Sequence, residues 1–448
     1  MAQTADSEVG ASGHRACRVK GCGACSQIEV VYATQLERKQ QRIADLFAEL
    51  IEPTCAVEPV LGMDDPWAFR NKIASPFAPG RKGKGANGRG SGTARGPSVG
   101  RGKAAGGKLA GKAAGGAPDI LCGMFAPGTH RIVEVEECPV EHPVGRRVVQ
   151  AVRRIMRKHG MQPYDEDAHT GFVRYVVVRV GHASDEVLVT VVTSSREFVG
   201  ARNFARELVK QVPQVTTVVQ NVNPRVTNAI LGDEEHVLFG PGFILDELCG
   251  LSFRISSHSF YQVNAVQTER LYRCAIDLAC QGAPAAGGAG LAVVDAYCGT
   301  GTIGLAAASL MQQACAGAVH VVGVDTTASS IRDARQNAQH NGIENAEFVQ
   351  ADAGEYLQQR AAQGDPVDVL FLDPPRSGAS QQFLQAALAC KPAAIVYISC
   401  NPETQVRDAR ILIEGGYHLD CIAPVDMFPH TDHVECVALM SRIDAASA

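Results

Sequence analysis

Between residues 291 and 398 the chain repeats one unit: a short run of apolar, largely β-branched residues, a turn, then a helical stretch. The runs fall at 291–297, 320–324, 346–349, 368–372 and 394–398. Runs of this length alternating with helices predict buried parallel strands with crossover connections, the pattern of a doubly wound α/β sheet. Ligands of such sheets sit beyond the carboxyl ends of the strands. The residues following each run therefore matter most. They are Gly299-Thr-Gly301-Thr302-Ile-Gly304, Asp325, Asp352, Asp373-Pro-Pro-Arg376 and Ser399-Cys400-Asn-Pro.

The glycine turn lets the backbone approach a nucleotide-like ligand, and Asp325 can accept hydrogen bonds from both ribose hydroxyls. NAD and S-adenosylmethionine fit this pattern equally. The later strand ends carry none of the histidine or lysine acids usual in a hydride-transfer pocket. They carry Cys400 instead. A lone cysteine is more often a core residue than a nucleophile. This one stands where Asn-Pro ends a strand in a turn, and a thiol needs no strong base to attack.

At 448 residues the chain predicts two or three domains. No membrane-spanning apolar run and no signal segment are legible. Fifteen cysteines in such a chain predict free thiols in a reducing cytoplasm. The net charge is −5, yet nine basic residues and no acid lie between 80 and 117. The rest of the chain is therefore more acidic than the total implies, and any RNA contact must be a local basic surface.

Residues 1–16 read as a disordered start. Residues 17–58 carry Cys17-x4-Cys22-x2-Cys25 and, from 26 on, a helical stretch expected to end before Pro53. Close cysteines separated by glycine can wrap a metal centre. Cys122 and Cys138 compete for a fourth position, and Cys138-Pro has the ending common in iron–sulfur ligand runs. Zinc, or no metal, fits the spacing as well. Residues 59–139 predict a small antiparallel sheet, interrupted at 80–117 by a Gly/Lys/Arg-rich insertion that cannot bury a core. Residues 140–250 predict a second α/β region whose charged, alternating strands suit a half-solvated sheet. Residues 251–448 form the doubly wound domain.

Five motifs occur in order: Phe260-Tyr-Gln262-Val-Asn264, Asp295-Ala-Tyr297-Cys-Gly299-Thr-Gly301-Thr302, Asp373-Pro-Pro-Arg376, Ser399-Cys400-Asn-Pro and Asp426-Met-Phe-Pro-His430-Thr-Asp-His-Val-Glu435. Together they resemble the RNA uridine C5-methyltransferase family, over nearly the whole chain. The resemblance implies a C-terminal Rossmann-like S-adenosylmethionine-dependent methyltransferase domain, an N-terminal iron–sulfur region and a central α+β RNA-binding domain. It implies Cys400 as nucleophile toward uracil C6 and Glu435 as general base. It implies cofactor contacts by Gln262, Tyr297, Asp325 and Asp373, with the Gly299–Gly301 turn. Thr302 replaces an asparagine found in many relatives, and Asp352 reaches the adenine side. Phe260 and Tyr261 are stacking candidates for a base. Cys17, Cys22, Cys25 and Cys138 become expected ligands of a 4Fe–4S cluster. Cluster-bearing members without a TRAM domain resemble the branch methylating 23S rRNA, the expected partner; tRNA is the alternative. The uridine must be unpaired or flipped out. A cytoplasmic monomer is expected.

Overall fold

The computed structural model describes residues 17–80, 119–284, 290–315 and 317–443. The expected disordered start and nearly all of the basic insertion lie outside them. In chain order the first elements are α1 (Tyr32–Phe47), β1 (Ala56–Val57), β2 (Lys72–Pro79), β3 (Ile120–Phe125) and β4 (Ile132–Glu134). The helix read in this stretch, expected to end before Pro53, runs from Tyr32 to Phe47. Its buried face is Gln35, Lys39, Ile43 and Phe47, spaced one turn apart. The two apolar members enter a core of the C-terminal domain. Burying each of these side chains stabilises the docking by about 1.5–3 kcal/mol.

There follow α2 (Pro143–His159), β5 (Val173–Val180), β6 (Val187–Thr193), α3 (Ala201–Gln211), β7 (Val215–Val222) and β8 (Glu234–Phe239). One seven-stranded sheet has the order β4-β3-β2-β5-β6-β7-β8. Hydrogen bonding thus joins the two stretches separated above at residue 139. The sheet is not half-solvated: every residue of β6 is buried, and in β5 only Tyr175 is partly exposed. Helices α2 and α3 cover one face. The C-terminal domain covers the other, through Leu188 and Val219. The polar residues on that face have partners. Thr190 Oγ1 donates to Ser257 Oγ at 3.1 Å, and buried Arg179 donates to the Ser259 carbonyl. The alternation read as solvent exposure is an interface between layers.

A ribbon of β9 (Ile244–Leu248) and β10 (Leu251–Ile255) leads into α4 (Ala265–Gly282), capped by the Asn264 side chain. Next come β11 (Leu291–Ala296), α5 (Thr302–Ala314), β12 (Val319–Asp325), α6 (Ala328–His340), β13 (Ala346–Gln350), α7 (Ala353–Gln363) and β14 (Val369–Leu372). The chain continues with α8 (Gln381–Cys390), β15 (Ala394–Ser399), α9 (Pro402–Glu414), β16 (Tyr417–Val425) and β17 (Glu435–Arg442). The eight-stranded sheet runs β1-β16-β17-β15-β14-β11-β12-β13. Strands β11 to β15 are parallel, and β17 is antiparallel to both β15 and β16. Strand β11 lies between β12 and β14, at the switch point where such sheets bind ligands. The Rossmann-like α/β fold read from the sequence is present. Among the described residues no helix is long and apolar enough to cross a membrane.

Candidate active site

The register of two strands brings together groups that lie 35 residues apart in sequence. Antiparallel pairing sets Ser399 against Cys436. One step further, Cys400 and Glu435 leave the ladder at the same edge, on the same side of the sheet. Strand β14 ends beside them, supplying Asp373 and Arg376. Asn401 Nδ2 donates to the Arg376 carbonyl at 2.9 Å, joining the two strand-end turns.

These groups feel one another. Burial, then the Glu435 and Asp373 carboxylates, push the Cys400 thiol up, while the Arg376 guanidinium, hydrogen-bonded to it, pulls it down. Burial and Asp373 raise Glu435 to about 8, again against Arg376. Burial raises Asp373 to about 7. Buried, closely set acids keep their protons because the charged forms are poorly solvated and repel each other. Arg376 stood in a quoted motif but received no role from the sequence; it is the cation facing both Cys400 and Glu435.

The glycine turn lies at the end of β11. Gly301 precedes α5 at φ 80°, and a Cβ there would meet the Phe348 ring at 2.8 Å. At Gly299, φ 54°, a Cβ would meet open space. Tyr297 holds φ 65°, uncommon for a non-glycine residue and typical of functional strand ends. Asp325 accepts from the Gly299 N–H at 3.1 Å and the Thr327 N–H at 2.7 Å. Asp295 is fully buried and raised to about 8 by burial, with Asp373 and Asp325 adding to the effect. Its Oδ2 accepts from the Gly304 N–H at 2.8 Å, whereas its Oδ1 has no partner. An unsatisfied buried carboxylate oxygen beside an open glycine turn fits a cationic, amine-bearing nucleotide ligand.

Other expected site residues have defined surroundings. The Thr302 hydroxyl bonds the Tyr272 phenol at 2.9 Å. Asp352 caps α7, its Oδ1 accepting from the N–H groups of Gly354 and Glu355. Its charge also reaches the Tyr297 phenol. Gln262 is half-buried, and its carbonyl accepts from Asn71 Nδ2 at 3.2 Å. Phe260 is 68% exposed, whereas Tyr261 is buried, its phenol toward Asp246.

The N-terminal cysteines divide clearly. Cys122 is buried in the core of the seven-stranded sheet, near the Gln150 amide. Cys25 is pushed up to about 12 by burial and then by Cys138, Cys22 and Cys17. These four thiols share one electrostatic neighbourhood, without Cys122. Among the described residues, no group of three or more His, Cys, Asp or Glu side chains is arranged to hold a metal ion.

Residues 288–410 match a family model described as a methyltransferase domain. An uncharacterized RNA methyltransferase of Halalkalibacterium halodurans is 36% identical over 94% of this chain and 81% of its own length. One from Bacillus cereus is 35% identical over 94% and 82%. A solved structure of Pyrococcus abyssi tRNA (uracil-54, C5)-methyltransferase with S-adenosyl-L-homocysteine superposes with TM-score 0.67. It is 25% identical, over 94% of this chain and 86% of that one. The methyltransferase-domain match and the S-adenosyl-L-homocysteine-bound neighbour agree on S-adenosylmethionine as cofactor, and the glycine turn, open at Gly299, suits it. With a third and more of its residues shared along nearly its whole length, the chain belongs to the RNA methyltransferase family.

Proposed function

We propose that the enzyme methylates C5 of a uridine in 23S rRNA through a covalent bond between Cys400 and uracil C6. The observation that carries this reading is the placing of Cys400 and Glu435 at one edge of β15 and β17, with Asp373 and Arg376 at the end of the neighbouring β14. Uracil C5 is a weak nucleophile. When the Cys400 thiolate adds to C6, the electron pair of the C5–C6 double bond becomes available at C5, as in an enolate. S-adenosylmethionine, when bound, supplies the methyl group that C5 accepts. Glu435 then removes the C5 proton, the double bond re-forms, and the thiolate leaves. Arg376 favours the thiolate before attack and after expulsion. Gln262, Tyr297, Thr302, Asp325, Asp352 and Asp373, with Gly299 and Gly301, are the residues we assign to cofactor binding.

The 4Fe–4S cluster belongs to the same reading. Cys17, Cys22, Cys25 and Cys138 would hold it, supported by their shared neighbourhood around Cys25 and by the loss of Cys122 to the core. A cluster there would supply structure, since methyl transfer moves no single electron. Iron and sulfide content of anaerobically purified protein tests it, with Cys25→Ser expected to lose both.

The second reading is a tRNA uridine, favoured by the Pyrococcus abyssi neighbour, whose stated target is uracil-54 of tRNA. Nucleoside analysis of separated rRNA and tRNA from a strain lacking the gene decides between them. Loss of 5-methyluridine from 23S rRNA is expected. Loss from tRNA alone favours the second reading, and loss from neither overturns both.

A further inference from the structure

A cavity of about 230 Å³ opens over Cys400, walled by Arg42, Arg376, Glu403 and His433. The basic groups come from three distant parts of the chain: the N-terminal helix α1, the turn after β14 and the segment before β17. Burial and the two guanidinium groups lower the His433 pKa, so the fixed positive charge of the cavity belongs to the arginines. Arg376 lies nearest the thiol, its carbonyl held by Asn401 Nδ2 and Thr404 Oγ1. Arg42 lines the same cavity. Its Nη2 lies 2.5 Å from Glu403 Oε1, and its Nη1 donates to the Asp432 carbonyl at 2.8 Å. Both members of the Arg42–Glu403 pair are partly open to solvent, at 36% and 52%.

Arg376 has a use beside the Cys400 thiol, but a cavity that holds only a neutral uracil ring has no use for a second arginine, Arg42. A nucleotide does bring negative charge, because its base cannot reach Cys400 without its phosphodiesters reaching the rim. Guanidinium groups match phosphate oxygens in charge and in the spacing of their donors. A carboxylate paired with an exposed arginine is easily replaced by a phosphate, since such pairs are weak and screened.

We propose that Arg42 and Arg376 form a phosphate subsite that takes a phosphodiester of the RNA beside the target nucleotide, displacing Glu403 from Arg42. The proposal rests on the reading of Cys400 as the residue that meets the uracil. It gives the N-terminal helix a direct part in holding substrate.

The test uses the full-length enzyme and whichever unmodified transcript, 23S rRNA fragment or tRNA, the wild type methylates. Binding is measured against potassium chloride concentration. Arg42→Gln should raise the dissociation constant on the order of tenfold and reduce the slope of log K against log salt by about one. The kinetic loss should fall mainly on KM for RNA. Glu403→Gln should tighten RNA binding severalfold, an effect that mere support of the fold would not produce. Arg42→Lys should recover most of the salt slope. Unchanged cofactor affinity in each variant shows that the fold is intact. An Arg42→Gln slope equal to wild type, or weaker binding by Glu403→Gln, overturns the subsite. A wild type that methylates neither transcript overturns the parent reading instead.

Discussion

Lys39 Nζ lies 2.5 Å from Asp426 Oδ1, with both side chains closed off from solvent. The pair ties the N-terminal helix to the loop that leads into Glu435. Asp426 Oδ2 also accepts from the Tyr32 phenol at 2.8 Å, and Lys39 donates to the Phe428 carbonyl at 3.2 Å. Further along the loop, the His430 N–H donates to Gln35 Oε1 at 2.9 Å, and the His430 ring stacks on Trp67 at 4.0 Å. His430 holds φ 66°, a conformation these contacts sustain against its local cost.

Lys39→Met should therefore destabilise the protein severely. The change leaves the Asp426 carboxylate buried without its cation, a loss of about 3–5 kcal/mol. Chemical denaturation at neutral pH is the measurement. A cost under about 1 kcal/mol would show that the pair behaves like an exposed one.

Cys400→Ala should abolish 5-methyluridine formation while leaving S-adenosylmethionine affinity within about threefold, because the thiol is assigned to the base and not to the cofactor. Glu435→Gln should still form the bond to C6 but fail to release it. Denaturing gel electrophoresis with labelled RNA should show a retarded, protein-bound band. Turnover by the alanine variant, or no band from the glutamine variant, would remove these roles.

The pH dependence follows from the raised acid. Glu435, at about 8, must lose its proton to act as a base. Single-turnover release of product should rise roughly tenfold per pH unit below that value and level off above it. The raised Cys400 thiol acts in the same direction on adduct formation. Stability runs the other way. A carboxyl whose folded pKa is raised costs nothing below its unfolded value. Its penalty grows as pH rises from that value to about 8. Glu435→Gln should thus gain stability relative to wild type across that window, measured by thermal unfolding at pH 5 and pH 9.

Cofactor binding should release protons. Asp295 at about 8 and Asp373 at about 7 are protonated in part at neutral pH. A sulfonium cation brought close to them favours their ionised forms. Titration calorimetry in buffers of different ionisation enthalpy should detect the release with S-adenosylmethionine at pH 7. It should be smaller with the product S-adenosylhomocysteine, whose thioether sulfur carries no charge. Equal release with both would separate these acids from the sulfonium.

The strand-end logic reached Cys400, Asp325, Asp373 and the glycine turn because each lies a residue or two from a buried run, where local pattern and site coincide. It stopped at the N-terminal helix. Nothing local in the sequence around Arg42 or Lys39 marks them, since their partners lie more than 350 residues away. The alternation in β5 and β6 misled for a related reason: a polar residue facing another layer looks the same in sequence as one facing water.

By itself, then, the amino-acid order determined the class of sheet, the order of its strands' chemistry and the place of Cys400 at a strand end, because strands, turns and caps depend on neighbours in the chain. Which groups surround that thiol was decided by folding. Antiparallel pairing of β17 with β15 sets Glu435 beside Cys400, a buried ion pair seats α1, and α1 carries Arg42 to the cavity. Those relationships depend on distances through space, which exist only once the layers have packed.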